Sequence, residues 1–473
     1  MKRKVLAILL TAAMATSLMA CGGGDASTEP ASDSGADASS EETGSSEADT
    51  ASEETGSDEA GSGQSEAAAA DDGGSDYGGI TLTFLNSKPE ITDAFKKVTS
   101  EWGDAHGVTF EVTETSNPND TLMANYQSGD APILAVVDGA NVLDFAAEHL
   151  LPLDGEAWTE YTEMGQYVDD KLYGFPLTVE SHCIVVNKAV VEENIGREFV
   201  ADDYKSIEEF EALLEEMRGN GMETPVAILP DIWSMVGHDF YPFYAYQDGT
   251  GDGAFALVDA VKEGKDIYED EIFYNHADFM SRVAAEYNIN KADPLNADHD
   301  MTVLALADGD VGFLLNGTWT WPELEAMGAS KSDDYTIMAY PNGSANAGKV
   351  MAAPTKYIVV DNSNATEEQQ AAAKEFLNYL VMNEAGQKAL IEDLGIVCAF
   401  TNNPNVPSDP VNKALMQYIS DGNTVTYLPL SFPSDYRDTI TPSVQKLMTG
   451  EGDIRAVADV INDYWRNNDP NGR

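Results

Sequence analysis

The stretch KLYGFPLTVESHCIVVN, residues 171–187, decides how this chain is read. Its second half, Ser181-His-Cys-Ile-Val-Val-Asn187, is apolar and β-branched, which predicts a strand, and Lys171-Leu-Tyr-Gly-Phe-Pro176 leads into it. Toward the N-terminus, residues 80–85 alternate as a second strand. Residues 91–105 form an amphipathic helix with Phe95, Val98 and Trp102 on one face. Residues 108–113 are a strand, 120–128 a helix ended by Gly129, 132–137 a buried strand running into Asp138-Gly-Ala-Asn141, and 143–148 a helix. Alternating strands and helices predict an α/β fold with a parallel-type sheet. Toward the C-terminus, Ser206 and Glu209 form a capping box for a helix to Gly219, with Phe210, Leu213, Leu214 and Met217 inward. Residues 230–247 are aromatic and poorly periodic. A short helix at 301–307 precedes a strand at 311–315, and another strand follows at 357–360. Thr366 caps a helix to Met382, residues 384–394 form a helix stopped by Gly395, and helices at 439–448 and 454–465 close the chain. No internal repeat is visible.

The N-terminus reads as a targeting segment. Lys2, Arg3 and Lys4 precede an apolar run from Val5 to Met19, too short for a mature membrane span, so residues 1–20 read as a signal peptide. Leu18-Met19-Ala20 ahead of Cys21 resembles the bacterial lipoprotein lipobox, which implies cleavage before Cys21 and lipidation of its sulfur. Residues 22–76 are almost wholly Gly, Ser, Ala, Thr, Asp and Glu, without Lys or Arg. Such a segment cannot bury enough surface to offset its ordering entropy, so 21–78 reads as a lipidated cysteine and an acidic linker. The rest of the 473 residues suffices for two lobes. A formal net charge of −56 argues against nucleic acid as a partner. Cys183 and Cys398 could pair, but they lie far apart and each sits in an apolar segment. They read as two buried free thiols.

Enzyme signatures are missing from the sequence. It has no G-x-S-x-G, no H-E-x-x-H and no Walker loop, and its six histidines show no ligand spacing. No cofactor or metal is therefore expected. Asp248-Gly-Thr-Gly-Asp-Gly253 with Asp259 partly matches a calcium loop. Thr at the third position and Asp at the twelfth favour a plain turn. NGTWTWPEL, residues 316–324, places Trp319 and Trp321 on a turn next to an amide and a carboxylate. Residues 228–244 and 427–436 likewise mix rings with Asp. Each segment alone is compatible with core. Together they suit a sugar, whose C–H faces lie on rings and whose hydroxyls donate to ionised carboxylates.

With these segments assembled, the chain resembles the extracellular solute-binding proteins of ABC-type sugar importers, of the maltose-binding kind. DKLYGFPLTVESHCIVVNKAVVEE (170–193) is similar to that family's first crossover between lobes, with Asp170 where Gly is usual. GDVGFLLNGTWTWPEL (309–324) is similar to its Asn-Gly-x-Trp turn, and residues 365–395 to its late paired helices. The resemblance implies a two-lobed, periplasmic-binding-protein-like α/β fold with crossover strands and a ligand cleft. One lobe would hold 79–180 and 350–402, the other 181–349 and 403–473. Trp319 would be a stacking platform with Trp321 packed behind it, and Glu180 an acid at the crossover accepting hydroxyls. Asp231 and Trp233 would be an acid and a ring on the second lobe. Asn86, Lys88, Glu90, Asp138 and Asn141 would supply polar contacts from the first lobe. Tyr436 or Phe432 would lie near another stacking ring, and Asn316 would bind ligand or hold its own turn. The first-lobe loop Asn86-Ser-Lys-Pro and the turn Asp138-Gly-Ala-Asn lack the family's rings, so the first lobe would contribute fewer of them. The implied protein is a monomeric, non-enzymatic receptor, lipid-anchored through Cys21 at the outer face of the cell membrane. It would pass a carbohydrate to ABC permease subunits. A secreted carbohydrate-active enzyme is the rival from another class. The same fold holding a peptide, a polyamine or a metal chelate is the rival cargo.

Overall fold

The computed structural model of the chain describes residues 75–426 and 432–470. Cys21, the signal segment, most of the acidic linker and residues 427–431 lie outside the described residues. The strands are β1 (Ile80–Asn86), β2 (Val108–Glu114), β3 (Leu134–Val137), β4 (Gln166–Val168), β5 (Lys171–Asn187), β6 (Val226–Ile228), β7 (Phe313–Gly317), β8 (Tyr335–Met338), β9 (Val350–Val360) and β10 (Thr424–Val425). They pair along the path β2-β1-β3-β9-β5-β7-β6, with β10 beside β9 and with β4 and β8 beside β5.

The sheet is mixed, and this corrects the parallel-type expectation. β1 runs parallel to β2 and β3, and β6 parallel to β7. Between these ends, β9 runs antiparallel to both β3 and β5, and β5 antiparallel to β7. The reason is β5 itself, a single strand of 17 residues. That is about three times the common strand length. It leaves one half of the molecule and enters the other, and β9 returns beside it.

The cores on either side show the handover. Leu172, Phe175 and Leu177 of β5 pack with Phe95, Trp102, Trp158 and Phe376 in the first half. From Val179 onward, alternate residues face opposite sides of the sheet. Cys183 and Val185 join Leu314, Trp321 and Ile337, whereas Ile184 and Val186 join Phe210, Phe313 and Tyr340. β9 makes the reverse passage, from Val350 and Met351 in the second half to Ile358 and Val360 in the first. A third passage follows the helices Glu367–Met382 and Glu384–Lys388, where Val397 bridges to Val179.

Local chemistry explains most element ends. Both predicted capping boxes form, Ser206 with Glu209 and Thr366 with Gln369. The turn from β4 into β5 places Asp169 and Asp170 at φ 49° and 62°. This left-handed pair matches a two-residue hairpin turn, and Asp is among the few residues besides Gly that tolerate it. The partial calcium loop is a helix start: Asp248 accepts from the Thr250 amide, Thr250 caps Gly251–Lys262, and Asp259 lies far along that helix. No cluster of His, Cys, Asp or Glu able to hold a metal occurs among the described residues. Cys183 and Cys398 are both free thiols, the first buried and the second half-buried. Residues 75–78, at the end of the expected linker, already dock. The Ser75 amide and the Tyr77 hydroxyl both donate to Glu375, and the Tyr77 amide donates to the His106 carbonyl. No described helix is long and apolar enough to cross a membrane.

Phe175 is fully buried and sits between Trp158 at 4.9 Å and Phe400 at 5.0 Å. Phe175→Ala should cost about 3–5 kcal/mol, read as a lowered urea midpoint. A loss under about 1 kcal/mol would show that β5 does not anchor the first core.

Candidate functional site

Where β5, β9 and the third passage lie side by side, a cleft opens. It is lined by Lys88 and Glu90 beyond β1, Thr178 and Glu180 on β5, Thr318, Trp319 and Pro322 beyond β7, and residues 394–397. β1 ends at Asn86, which is fully buried. Its side-chain amide donates to the Lys88 carbonyl at 2.7 Å and to Thr92 at 2.9 Å, and its carbonyl accepts the Lys88 amide at 3.0 Å. Asn86 therefore shapes the loop and does not face the cleft. What it presents is Lys88.

The Lys88 ammonium is almost sealed. It bridges Glu90 Oε1 and Glu180 Oε1, each at 2.6 Å. The second oxygen of Glu180 accepts the Thr355 hydroxyl. Burial alone would favour neutral Lys88, but Glu180 and Glu90 outweigh it and hold the ammonium charged. Burial likewise pushes the Glu180 carboxyl up, but Lys88, Thr355 and Lys356 overcome this and keep it below its usual range. Lys356 of β9 pairs with Asp138 at 2.6 Å. Glu180 and Asp138, two of the acids expected at the ligand, thus carry lysine partners. Each carboxylate oxygen keeps a lone pair for a further donor.

Trp319 forms the opposite wall. Its indole folds back over Gly317: a Cβ on Gly317 would lie 2.2 Å from the ring and 2.6 Å from the Ser181 carbonyl. The backbone there is extended at φ −172°, so glycine is required for space rather than for torsion. Asn316 donates to Thr320 Oγ1 at 2.8 Å and is buried, so it holds the turn. Trp321 is buried against Tyr335.

The remaining expected residues divide. Asp231 accepts the Ser234 amide at 2.8 Å and lies 3.4 Å from His299, whose other nitrogen lies 3.2 Å from Glu323. Burial raises the Asp231 carboxyl, but His299 and the Ser234 hydrogen bonds prevail and bring it down to about 2. Its partners Asp231 and Glu323 in turn push His299 up to about 10. Trp233 is 55% exposed, with the Arg437 guanidinium 3.7 Å from its ring centre. Trp233 and Trp319 both touch His238, at 6.1 and 4.7 Å. Asn141 closes a capping box with Asp138 and is buried, a structural role. Tyr436 and Phe432 are sealed in the second core against Trp465, so neither can be a stacking ring in the cleft. Sequence reasoning missed Thr355, Lys356, His182, His238 and His299. The first two sit on the crossing part of β9, where Pro354 and mixed polarity hid the strand. Single histidines carry no spacing signal.

A two-half α/β molecule with two long antiparallel crossings and a polar-aromatic cleft between them invites comparison. The sequence profile of bacterial extracellular solute-binding proteins matches residues 90–416, more than half of the chain. The chain belongs to this family. Among solved structures, RafE bound to raffinose superposes on this solute-binding protein with a TM-score of 0.66 at 18% identity. The match covers 82% of this chain and 98% of the other. The unliganded RafE from Streptococcus pneumoniae gives a TM-score of 0.65. The GacH receptor of Streptomyces glaucescens, solved alone and with acarbose, gives 0.62 at 16% identity, covering 82% and 97%. At these identities the likeness is one of fold. No curated protein sequence matches the chain.

The His299 contacts give a pH prediction. Its folded value near 10 lies above the ordinary 6.5, so its contribution is complete below pH 6.5 and fades as pH rises through about 10. Imidazole NMR should find His299 protonated at pH 8 in this solute-binding protein, and Glu323→Gln should lower its midpoint. A neutral His299 at pH 8 would contradict the bridge.

Proposed function

We propose that this solute-binding protein captures a carbohydrate outside the cell and delivers it to an ABC permease. The observation that carries this reading is the pairing, across one cleft, of the partly open Trp319 indole with the ionised Glu180. The ring offers a flat apolar face, and the carboxylate, with Lys88 and Glu90 beside it, offers acceptors and a donor for hydroxyls. Trp233, exposed and covered on one side by Arg437, is proposed as a second ring for the ligand. Proteins of the same fold, RafE with raffinose and a chitin oligosaccharide binding protein, hold such ligands. The lobes are proposed as 79–180 with 350–402 and 181–349 with 403–473. They would close about the crossing strands, where the β5–β9 register slips between Pro176 and Val179. Anchorage through lipidated Cys21, with the acidic segment as tether, belongs to the same proposal, as does a monomeric receptor.

The electrostatics favour binding over hydrolysis. A glycosidase needs one carboxyl kept protonated as general acid beside an ionised partner. Glu180 and Asp231 are both held ionised, and the carboxyl that burial keeps protonated, Asp239, is fully buried against Tyr340, out of a ligand's reach.

A thermal-shift screen over sugars, short peptides and polyamines tests the cargo, because a bound ligand stabilises the native state by mass action. Stabilisation by sugars is expected; stabilisation by peptides or polyamines alone would replace the cargo. New reducing ends after incubation with glycans would instead reveal an enzyme. Against the best sugar of that screen, Trp319→Ala should weaken binding at least about tenfold, or about 1.4 kcal/mol, by calorimetry. Gly317→Ala should do the same without removing the indole. Unchanged affinity in both would reject the platform.

A further inference from the structure

A buried histidine, His182, and a half-buried one, His238, pack against the Trp319 platform, and the binding role described above does not use them. His182 of β5 meets the indole at 4.8 Å and 69°, and His238 meets it at 4.7 Å and 63°. The two imidazoles stand 4.5 Å apart at 89° to each other. Three rings in mutual edge-to-face contact fix one another's orientation, since each edge seeks the neighbouring face. His182 also sits opposite Gly317 in the β5–β7 ladder, directly below the glycine that the indole crosses. The indole orientation is thus set by a ring triad drawn from β5, the short helical segment Thr318–Thr320 after β7 and the π-helix Trp233–His238.

We propose that His182 and His238 are positioning residues that hold the Trp319 indole face toward the cleft only while both are neutral, and that a proton on His238 unseats the platform. The argument begins with geometry. An imidazolium here would be a charge inside a ring cluster, 4.5 Å from a second imidazole. It would have to reorient toward a carboxylate or toward water.

The groups facing His238 are few. They are His182 and Glu180 from β5, Asp231 from the segment after β6, the Asn316 amide from β7, and Arg437 from the helix Ser434–Met448. Burial, first, keeps His238 neutral and brings it down to about 4, against the pull of Asp231 and Glu180. Burial, with His238 beside it, holds His182 well below its ordinary range. Asp231, near 2, and Glu180, below its usual range, stay ionised while His238 titrates. A depressed histidine favours the ordered platform above pH 6.5, and that support drains away as pH falls from 6.5 toward 4. On the carbohydrate reading, on which this consequence rests, affinity would fall over the same interval.

The test uses the whole protein without any sugar, so its outcome is separate from that of the ligand screen. With 5-fluorotryptophan incorporated, Trp319→Phe identifies the Trp319 resonance. That resonance should move in one step between pH 6.5 and 3, centred near 4, together with the His238 imidazole signal, while the resonance of Trp158 in the other half stays still. His238→Gln should abolish the step, and His182→Gln should displace its midpoint. A Trp319 resonance that is flat across the interval overturns the proposal, as does a step that survives His238→Gln. Should either variant fail to fold, the unsubstituted protein's titration alone decides.

Discussion

A lysine ammonium shut away from water must have carboxylates within contact distance, or it loses its proton. Lys88 meets that condition with Glu90 on its own loop and with Glu180 on the strand that crosses between the halves. This pair ties the loop beyond β1 to the point where the chain changes sides. Asn86 makes the loop rigid from within, and Thr355 fixes Glu180 from the neighbouring crossing strand. Lys356, the next residue on that strand, holds Asp138. Two adjacent residues of β9 therefore orient two carboxylates from different elements, Glu180 on β5 and Asp138 just beyond β3. The polar floor of the cleft is a property of the β5–β9 pairing, because shifting either strand by one residue would turn these side chains to the other face.

The opposite wall follows a different rule. The indole of Trp319 is placed by the absence of a side chain on Gly317 and by the imidazole edges of His182 and His238. One wall of the cleft is held by charge and the other by shape. Their separate origin explains why the site draws residues from β1, β5, β7 and β9 at once. β5 and β9 contribute from their middles, where they run side by side, and β1 and β7 from the loops beyond their ends.

Much of this was legible in the sequence. The two capping boxes, the amphipathic helices and the apolar strands formed as read, since each depends on residues a few positions apart. Trp319 and Glu180 could be named from the segments that carry the resemblance, and Lys88 from its place after the first strand, and all three lie along the cleft. Tyr436 and Phe432 could not be told from core, because a ring meant for a sugar and a ring meant for Trp465 look alike in sequence. The full length of β5 was hidden because Gly174, Pro176 and Glu180 interrupt its alternation at the very place where it serves two cores. The partnership of Asp138 with Lys356 spans 218 positions, and no local pattern encodes it.

The grip of Glu375 on Ser75 and Tyr77 also sets a distance. It pins the start of the described chain at the end of β1 away from Lys88, and a strand of seven residues separates the two. At about 3.3 Å per residue that is a little over 20 Å. Residue 75 is thus held a strand's length from Lys88, on the far side of β1 from the loop that carries the cleft's lysine.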